Sequence, residues 1–303
     1  YWGQLRPICD ILGGMSLNYD LHCHSTASDG TLRPAELATL AAERGVDVLA
    51  LTDHDATEGL EEAAATAEEY GIGFVPGVEI SVTWERQTVH IVGLGIDPDN
   101  AVLQAGLARL REFRVWRGAE IGRRLEAAGV EGAYEGAVAR SGGDTLSRTH
   151  FAHFLIDNGY AKDVKDVFKR YMKSGKPGHV AGQWAELGEA VAWIHAAGGE
   201  AVIAHPARYD LTARRMRRLF GQFQEAGGEA IEVVSGSHGR GEAVAMAAWA
   251  REFGFRASRG SDYHGPERTW AELGRVAELP EGCEPVWSTW GERYLPRTCE
   301  EVT

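Results

Sequence analysis

Strand and helix signals alternate along this chain of 303 residues, and one long helical segment interrupts the alternation. Before the interruption, a continuous apolar run at residues 46–52 follows a helical pattern at 34–44 and precedes another at 57–70. The alternation resumes with a helical pattern at 186–197 and continues through helical patterns at 212–226 and 240–253 to about residue 264. Repeated β-α units of this kind predict a parallel sheet or a barrel in one α/β fold.

The interruption covers residues 99–184, where we find no convincing strand signal. Helical periodicity in LARLREFRVWRGAEIGRRLEAAG, SRTHFAHFLIDNG and VKDVFKRYMK predicts three helices instead. We interpret this segment as a helical insertion or cap between two parts of a barrel, at 17–98 and 185–290. The remaining residues, 1–16 and 291–303, are interpreted as tails.

The net charge of −13 is unevenly distributed. Residues 98–184 hold 14 Lys and Arg against 10 Asp and Glu, a local charge of +4, so the remainder carries −17. A basic segment can attract an anionic substrate, although a solvated basic helix face explains the charge equally well. The acidic remainder is compatible with divalent cations and argues against wrapping of long duplex nucleic acid.

Two classes of protein are not expected from this sequence. No apolar run approaches the 18 residues of a membrane span, and the N-terminus lacks the pattern of a secretion signal. The four cysteines form no CxxC pair and no disulfide-like spacing, which predicts a reduced, cytoplasmic setting. The sequence gives no indication of the oligomeric state.

Nine residues able to bind metal recur along the chain, and eight of them stand where a predicted strand ends. They are His22, His24, Asp29, His54, Glu79, His90, His205, Asp262 and His264, of which only His90 falls inside its strand. Because ligands gather at the carboxyl ends of strands in such folds, we expect these side chains to meet. Nine mixed donors suit two or three ions of Zn, Mn or Fe. Clustered metals lower the pKa of bound water towards about 7, so metal-assisted hydrolysis is the predicted reaction class.

Five motifs in order make a family resemblance specific: DLHCHSTASDGTLRPAEL, LALTDHD, PGVEIS, AHP and GSDYHG. They resemble the signature motifs of the PHP (polymerase and histidinol phosphatase) family over about residues 17–275. The chain is especially similar to a bacterial phosphoesterase subgroup of that family, whose helical insertion SRTHFAHFL, SGKPGHV and ARYDL also resemble. The resemblance implies a distorted (β/α)7 TIM-like barrel with an inserted helical cap domain.

The same resemblance implies up to three metal ions and a division of the ligands among them. The first ion is expected to bind His22, His24, Glu79 and Asp262. Glu79 would bridge to a second ion, which His90 and His205 also bind. The third is expected to bind Asp29, His54 and His264.

The resemblance also implies the substrate class. It suggests a 3′,5′-bisphosphonucleoside, or the 5′ end of a short RNA that is digested stepwise. A cyclic nucleotide phosphate and histidinol phosphate are alternative substrates. A metal-stabilised binding protein without turnover is an alternative of another class, but it would be indicated by a missing ligand, and none is missing.

Phosphate must also be held and its charge neutralised, which favours arginine. Our candidates are Arg148, Arg208, Lys176 and Ser25, with an ion pair, or for the last two a turn, as the rival interpretation. Arg148 is expected to stabilise charge in the transition state.

Two further roles are expected at the strand ends. Metal-held or neighbouring water is expected to protonate the leaving oxygen, with His205 or Asp262 nearby. Asp53 and Asp55 flank His54 and are expected to accept hydrogen bonds from metal-bound imidazoles, which would orient them.

Overall fold

The computed structural model describes residues 17–141, 146–267 and 271–296, so the predicted tail at 1–16 lies outside it. In this part of the chain seven strands form one sheet in sequence order. They are β1 (Tyr19–Asp20), β2 (Val48–Leu51), β3 (Gly73–Trp84), β4 (Gln87–Leu94), β5 (Glu200–Ile203), β6 (Ala230–Ser235) and β7 (Arg256–Gly260). The first and last strands also meet, since the Leu21 N–H donates to the Arg259 carbonyl at 3.1 Å. The predicted barrel is thereby confirmed.

The expectation of repeated β-α units with parallel strands is wrong at one place. β4 runs antiparallel to both β3 and β5, whereas the other neighbouring strands are parallel. Only Glu85 and Arg86 join β3 to β4, and they have φ angles of 45° and 65°. Positive φ at both central positions is the geometry of a tight hairpin turn, which returns the chain antiparallel to itself.

Five helices cover the barrel: α1 (Pro34–Glu43), α2 (Leu60–Glu69), α7 (Leu187–Ala196), α8 (Ala213–Glu225) and α9 (Arg240–Phe253). The predicted bounds of α9 are confirmed, and its sequence explains them. Ala243, Met246, Ala247 and Ala250 are buried at helical spacing. Gly254 follows the helix with φ of 69°, the left-handed conformation that ends many helices.

The helices between β4 and β5 are α3 (Ala101–Ala127), α4 (Ala133–Val138), α5 (Arg148–Asp157) and α6 (Val164–Val167), which continues in a wider turn at Phe168–Met172. The described residues of 99–184 form no strand, as predicted. An apolar cluster of their own includes Phe151 and Leu155, but the first half of α3 packs on the barrel core. The domain division at residue 99 stays a prediction, because α3 belongs to both cores.

The C-terminal residues pack against the N-terminal ends of the strands. The ring of Trp287 stacks on Tyr19 with centroids 4.2 Å apart, and Trp290 Nε1 donates to Glu200 at 2.8 Å. Tyr294, which falls within the predicted tail at 291–303, packs with Trp287 and Trp290 against the apolar cluster that contains Tyr19. This packing lies at the opposite end of the barrel from the predicted metal-binding residues. Among the helices described, none is both long and apolar enough to cross a membrane.

Candidate metal centre

All nine predicted metal-binding residues lie in one cluster. Glu79 is central, because its carboxylate oxygens lie within 3.4 Å of a ring nitrogen of each of five histidines. These are His22 (3.4 Å), His24 (3.3 Å), His54 (2.7 Å), His90 (3.0 Å) and His205 (3.1 Å).

The remaining three members join the same cluster through their own contacts. Asp262 Oδ1 lies 3.5 Å from His24 Nε2 and 3.6 Å from His264 Nδ1. Asp29 Oδ1 lies 3.2 Å from His264 Nε2. Shared histidines therefore link all three carboxylates: His24 contacts Glu79 and Asp262, and His264 contacts Asp262 and Asp29.

Strand ends place most of the cluster, as expected, but not Glu79. This residue lies in the middle of β3, which continues to Trp84 because it pairs with β4 in the hairpin. The neighbouring strand β2 ends at Leu51, opposite Pro76, so Glu79 stands beyond the end of that strand and bridges to His54. His90 lies inside β4, as predicted.

The backbone at the site is unusual in two ways. His205 and Asp262 have φ angles of 31° and 53°, and Asp55, next to His54, also has 53°. These values lie in the left-handed region, which costs an L-residue free energy. Gly260 lets β7 approach His22 closely, because an added Cβ would lie 2.3 Å from His22 Cβ.

Burial and neighbouring charges together shift the pKa values of the residues in the cluster. Seven of the nine side chains are buried, and only His54 and His90, at 12% and 21% exposure, reach solvent. Burial lowers the pKa of His24 to about 4, helped by His264, and burial also lowers the pKa of His90 to about 4. Burial opposes the charge of Glu79, but His90 and His54 hold its pKa well below the usual range. Burial acts in the same direction on two other imidazoles of the cluster, but nearby carboxylates outweigh it. Glu232 and Glu79 raise the pKa of His22 well above its ordinary value, and Glu79 and Asp29 raise the pKa of His54. Metal ligands need neutral imidazoles and ionised carboxylates, which are the states that His24, His90 and Glu79 favour.

Unpartnered polar atoms test whether the cluster fits metal. Buried polar atoms ordinarily have hydrogen-bond partners, yet five in this cluster have none among the described residues. They are Asp29 Oδ1, His54 Nδ1, Glu79 Oε2, His90 Nδ1 and His205 Nδ1. His54 Nδ1 and Glu79 Oε2 are only 2.7 Å apart without hydrogen-bonding geometry, an arrangement that suits two atoms sharing a cation. The cluster therefore fits divalent metal ions.

Three subsets of the cluster have ligand atoms within 4.8 Å of one another. They are His24, Asp29, His54 and His264; His22, His24 and Glu79; and His54, Glu79 and His90. These subsets overlap with the division implied by the family resemblance, but His24 and His54 each occur in two of them. The assignment of ligands to individual ions stays a prediction.

Arg148 begins α5, and the start of this helix touches the metal cluster. The Thr149 hydroxyl donates to Asp29 Oδ2 at 3.1 Å, so the residue after Arg148 is tied to a predicted ligand. The Arg148 guanidinium lies 5.3 Å from the centre of the Phe168 ring. Burial and Arg114 lower the pKa of Arg148, with Asp29 opposing them.

Arg148 belongs to a group of three arginines with Arg114 and Arg117 of α3, which we call the arginine group. Burial, Arg148 and Arg114 together lower the pKa of Arg117 to about 9. Arg114 pairs with Asp55 at 2.6 Å, whereas Arg117 donates to the Val180 carbonyl at 3.2 Å. In the described part of the chain, no carboxylate pairs with Arg117 or Arg148. Guanidinium charge without an acidic partner suits an anionic ligand.

The other phosphate candidates lie in different surroundings. Arg208 pairs with Asp262, so it does reach the cluster. Lys176 is exposed on a turn, and no contact joins it to the cluster within the described ranges. Ser25 is buried, and its hydroxyl donates to Asp53 at 2.6 Å, which engages it in the turn after β1.

The expected role of Asp53 and Asp55 is wrong. Asp53 accepts hydrogen bonds from Ser25 and from the Ser28 hydroxyl, and Asp55 accepts from Arg114 and the Ser81 N–H. Both carboxylates thus hold loops and helices rather than imidazoles. A residue that the sequence analysis missed, Glu232 of β6, contacts His22 Nδ1 at 2.5 Å instead.

Arg114 and Arg117 were also missed, although the sequence carries a signal for them. The buried stripe of α3 has leucine or isoleucine at regular spacing, and the two arginines occupy its middle: Leu103, Leu107, Leu110, Arg114, Arg117, Ile121 and Leu125. Charged residues at core-facing positions are expected to be paired or functional, because burying a lone charge is costly.

Comparison with known proteins agrees with this geometry. The PHP domain matches residues 20–181. The 3′,5′-nucleoside bisphosphate phosphatase of Chromobacterium violaceum is 50% identical over 279 residues, which cover 92% of this chain and 98% of that protein. The 5′-3′ exoribonuclease Rnm of Escherichia coli is 44% identical over 274 residues, covering 90% and 93%.

A solved structure shares the fold. An amidohydrolase from C. violaceum, with bound sulfate and no metal, superposes with a TM-score of 0.89 at 49% identity, covering 94% of this chain and 99% of that one. The domain match covers more than half of the chain, and both relatives are at least 44% identical to it over at least 90% of its length. The chain therefore belongs to the PHP family.

Proposed function

We propose that this chain is a metal-dependent phosphoesterase that releases the 3′-phosphate of a 3′,5′-bisphosphonucleoside. The observation that carries the proposal is the contact between the metal cluster and α5, the helix that begins with Arg148. Bound metal ions and a guanidinium both attract phosphate. The Thr149–Asp29 hydrogen bond joins the metal cluster to the helix that begins with Arg148. A substrate with two phosphates would place the reacting one at the metals and the other at the arginine group. The name of the C. violaceum phosphatase supports this substrate class.

The nine clustered residues would hold two or three divalent ions, with Mn, Zn or Fe as the candidates for a mixed nitrogen and oxygen donor set. When bound, such ions lower the pKa of water and neutralise phosphate charge. In the reaction, a water oxygen forms a new bond to phosphorus, the bond from phosphorus to the ribose 3′ oxygen breaks, and that oxygen gains a proton.

The remaining roles, proton transfer and substrate binding, would be filled by side chains of the protein. Burial opposes the charge of Asp262, but His24 and His264 hold its pKa well below the usual range, which favours a ligand over a proton donor. His205 is proposed to assist a neighbouring water in protonating the leaving oxygen, through the ring nitrogen that does not bind metal. Arg148 is proposed to bind the second phosphate and to fix the substrate's orientation. Arg208 is a weaker candidate, since it pairs with Asp262.

A second candidate function is stepwise cleavage of short RNA from a phosphorylated 5′ end. The name of the E. coli relative, a 5′-3′ exoribonuclease, supports it. The site would cleave the same kind of bond, from phosphorus to a ribose 3′ oxygen. The 5′-terminal nucleotide would be the leaving group, and the phosphate would stay on the next nucleotide. The net charge of −13 favours the smaller substrate, because an acidic exterior repels a polyanion.

Chromatographic analysis of the reaction products, with Mn present, tests the proposal. It compares 3′-phosphoadenosine 5′-phosphate with 5′-phosphorylated dinucleotides, cyclic nucleotides and histidinol phosphate. We expect selective turnover of the first or second substrate. Absence of turnover for all four would contradict the proposed function.

The Arg148→Ala variant tests the second phosphate site. We expect kcat/KM for the bisphosphate to fall about 10- to 150-fold, the loss of a charge-assisted hydrogen bond. The fall should be much smaller for 3′-adenosine monophosphate, which lacks the second phosphate. Arg123→Ala is the matched control, since Arg123 is exposed on α3 and, among the described residues, pairs with no carboxylate other than Glu120. An equal fall for both substrates would remove Arg148 from phosphate recognition.

A further inference from the structure

Glu232 is a buried carboxylate that lies against the metal cluster but outside the nine predicted ligands. It belongs to β6, whose other side chains are mostly apolar, and it is only 1% exposed. Its two oxygens face two different predicted ligands. Oε1 lies 2.5 Å from His22 Nδ1, and Oε2 accepts a hydrogen bond from the His205 N–H at 2.6 Å.

The first contact determines which nitrogen of His22 can bind metal. With Nδ1 donating to Glu232, the lone pair of His22 is on Nε2. This atom lies 3.4 Å from Glu79 and 3.8 Å from Asp262. Carboxylates that accept from the far nitrogen of a metal-binding imidazole fix its tautomer and ring orientation.

The second contact holds the backbone from which His205 projects. His205 follows β5 in the left-handed region, with φ of 31°. An N–H bonded to a buried carboxylate stabilises this conformation, because charge-assisted hydrogen bonds are stronger than neutral ones. The His205 ring then reaches Glu79, with Nε2 3.1 Å from Oε1.

We propose that Glu232 is a positioning residue that aligns the ligands of two neighbouring ions at once. His22 and His205 are predicted to bind different ions, and Glu232 is bonded to both. The inference rests on the proposed metal-dependent function. It predicts that loss of the carboxylate weakens metal binding while the barrel still folds.

Glutamine at this position cannot replace both contacts. An amide offers one acceptor oxygen, and its NH₂ group would face the second donor. Either His22 or His205 therefore loses its acceptor in Glu232→Gln. Glu232→Asp is a second variant, which keeps the charge but is one methylene too short to span both donors.

Glu229 provides a matched control on the same strand connection. It also accepts from an imidazole and a backbone N–H, from His195 Nε2 at 2.9 Å and Ala201 N at 2.9 Å. These partners lie outside the metal cluster. Glu229→Gln thus removes the same kind of carboxylate without touching a predicted ligand.

The experiment measures Mn and Zn affinity of metal-free protein by competition with a chromophoric chelator. We expect Glu232→Gln and Glu232→Asp to bind about 10- to 100-fold more weakly than wild type. Glu229→Gln should bind like wild type. Circular dichroism in chelator should show the same folded spectrum for all four proteins.

The other outcomes contradict either the inference about Glu232 or the proposed function. Glu232 variants that bind within twofold of wild type, or that weaken only as much as Glu229→Gln, would overturn the inference. So would a failure of both Glu232 variants to fold, since the carboxylate would then act on the barrel itself. If wild-type protein bound no metal, the proposed function would fail instead.

Discussion

The buried ion pair between Arg114 and Asp55 gives a prediction whose magnitude follows from burial. The two side chains are 6% and 0% exposed, with Nη2 and Oδ2 2.6 Å apart. Arg114→Met removes the positive partner and leaves the carboxylate with the Ser81 N–H at 2.7 Å. Breaking a buried pair in this way costs about 3–5 kcal/mol, because an uncompensated charge stays in the interior. For a chain of this size, that corresponds to a fall in Tm of about 5–8 °C.

Arg109→Met is the matched control on the same helix. Arg109 also pairs with a carboxylate, Glu189, at 2.9 Å, but the two side chains are 54% and 40% exposed. Both arginines lie 5.0 Å from the centre of a tryptophan ring, Arg109 at Trp193 and Arg114 at Trp184. The main difference between the variants is thus burial of the pair, and an exposed pair contributes only about 0–1 kcal/mol.

Thermal unfolding followed by circular dichroism, in chelator, measures both variants. We expect a clear fall in Tm for Arg114→Met and a fall of at most ~2 °C for Arg109→Met. Adding Asp55→Asn to Arg114→Met should restore part of the loss, because it removes the isolated charge. Equal shifts for the two single variants would refute the reasoning from burial.

Three further predictions concern the barrel, the metals and the cap. Gly260→Ala should cost about 1–3 kcal/mol in urea unfolding, because the new Cβ would lie 2.3 Å from His22 Cβ; unchanged stability would show that β7 can move away. Chelator should lower Tm, and metal at 100 times its Kd should restore about 2.7 kcal/mol, so an identical Tm with and without metal would contradict binding to the folded state. Leu155→Ala should cost about 2–5 kcal/mol, because this side chain is fully buried in the apolar cluster of the helices between β4 and β5. Limited proteolysis should then cut first between residues 99 and 184, and cleavage first elsewhere would argue against a cap that unfolds separately.

Much of the fold could be predicted because local patterns report local structure. The spacing of Ala243, Met246 and Ala250, with glycine on either side, gave the bounds of α9. The antiparallel direction of β4 escaped prediction for a local reason as well. Its turn consists of Glu85 and Arg86, which adopt positive φ without the glycine or asparagine that usually signals it.

The metal cluster could be predicted because strand ends meet at one edge, whatever the distance along the chain. The residues that support the cluster could not be predicted, because each lies far along the chain from the residue that it contacts. Glu232 contacts His22 across 210 positions, and Arg114 contacts Asp55 across 59. The sequence marks both as charged residues in apolar surroundings, but only the folded chain shows which groups they face.

The left-handed residues at the site have a consequence for how this chain can change over generations. Asp55, His205 and Asp262 each hold a backbone conformation that costs about 1 kcal/mol or more. Together they consume a sizeable share of a stability that is usually about 5–15 kcal/mol. Glycine at any of the three would relieve this cost, but at His205 or Asp262 it would also delete a predicted ligand. A lineage freed from the need for catalysis would therefore recover this backbone cost at His205 or Asp262, whereas Asp55 would still be kept by its buried pair with Arg114.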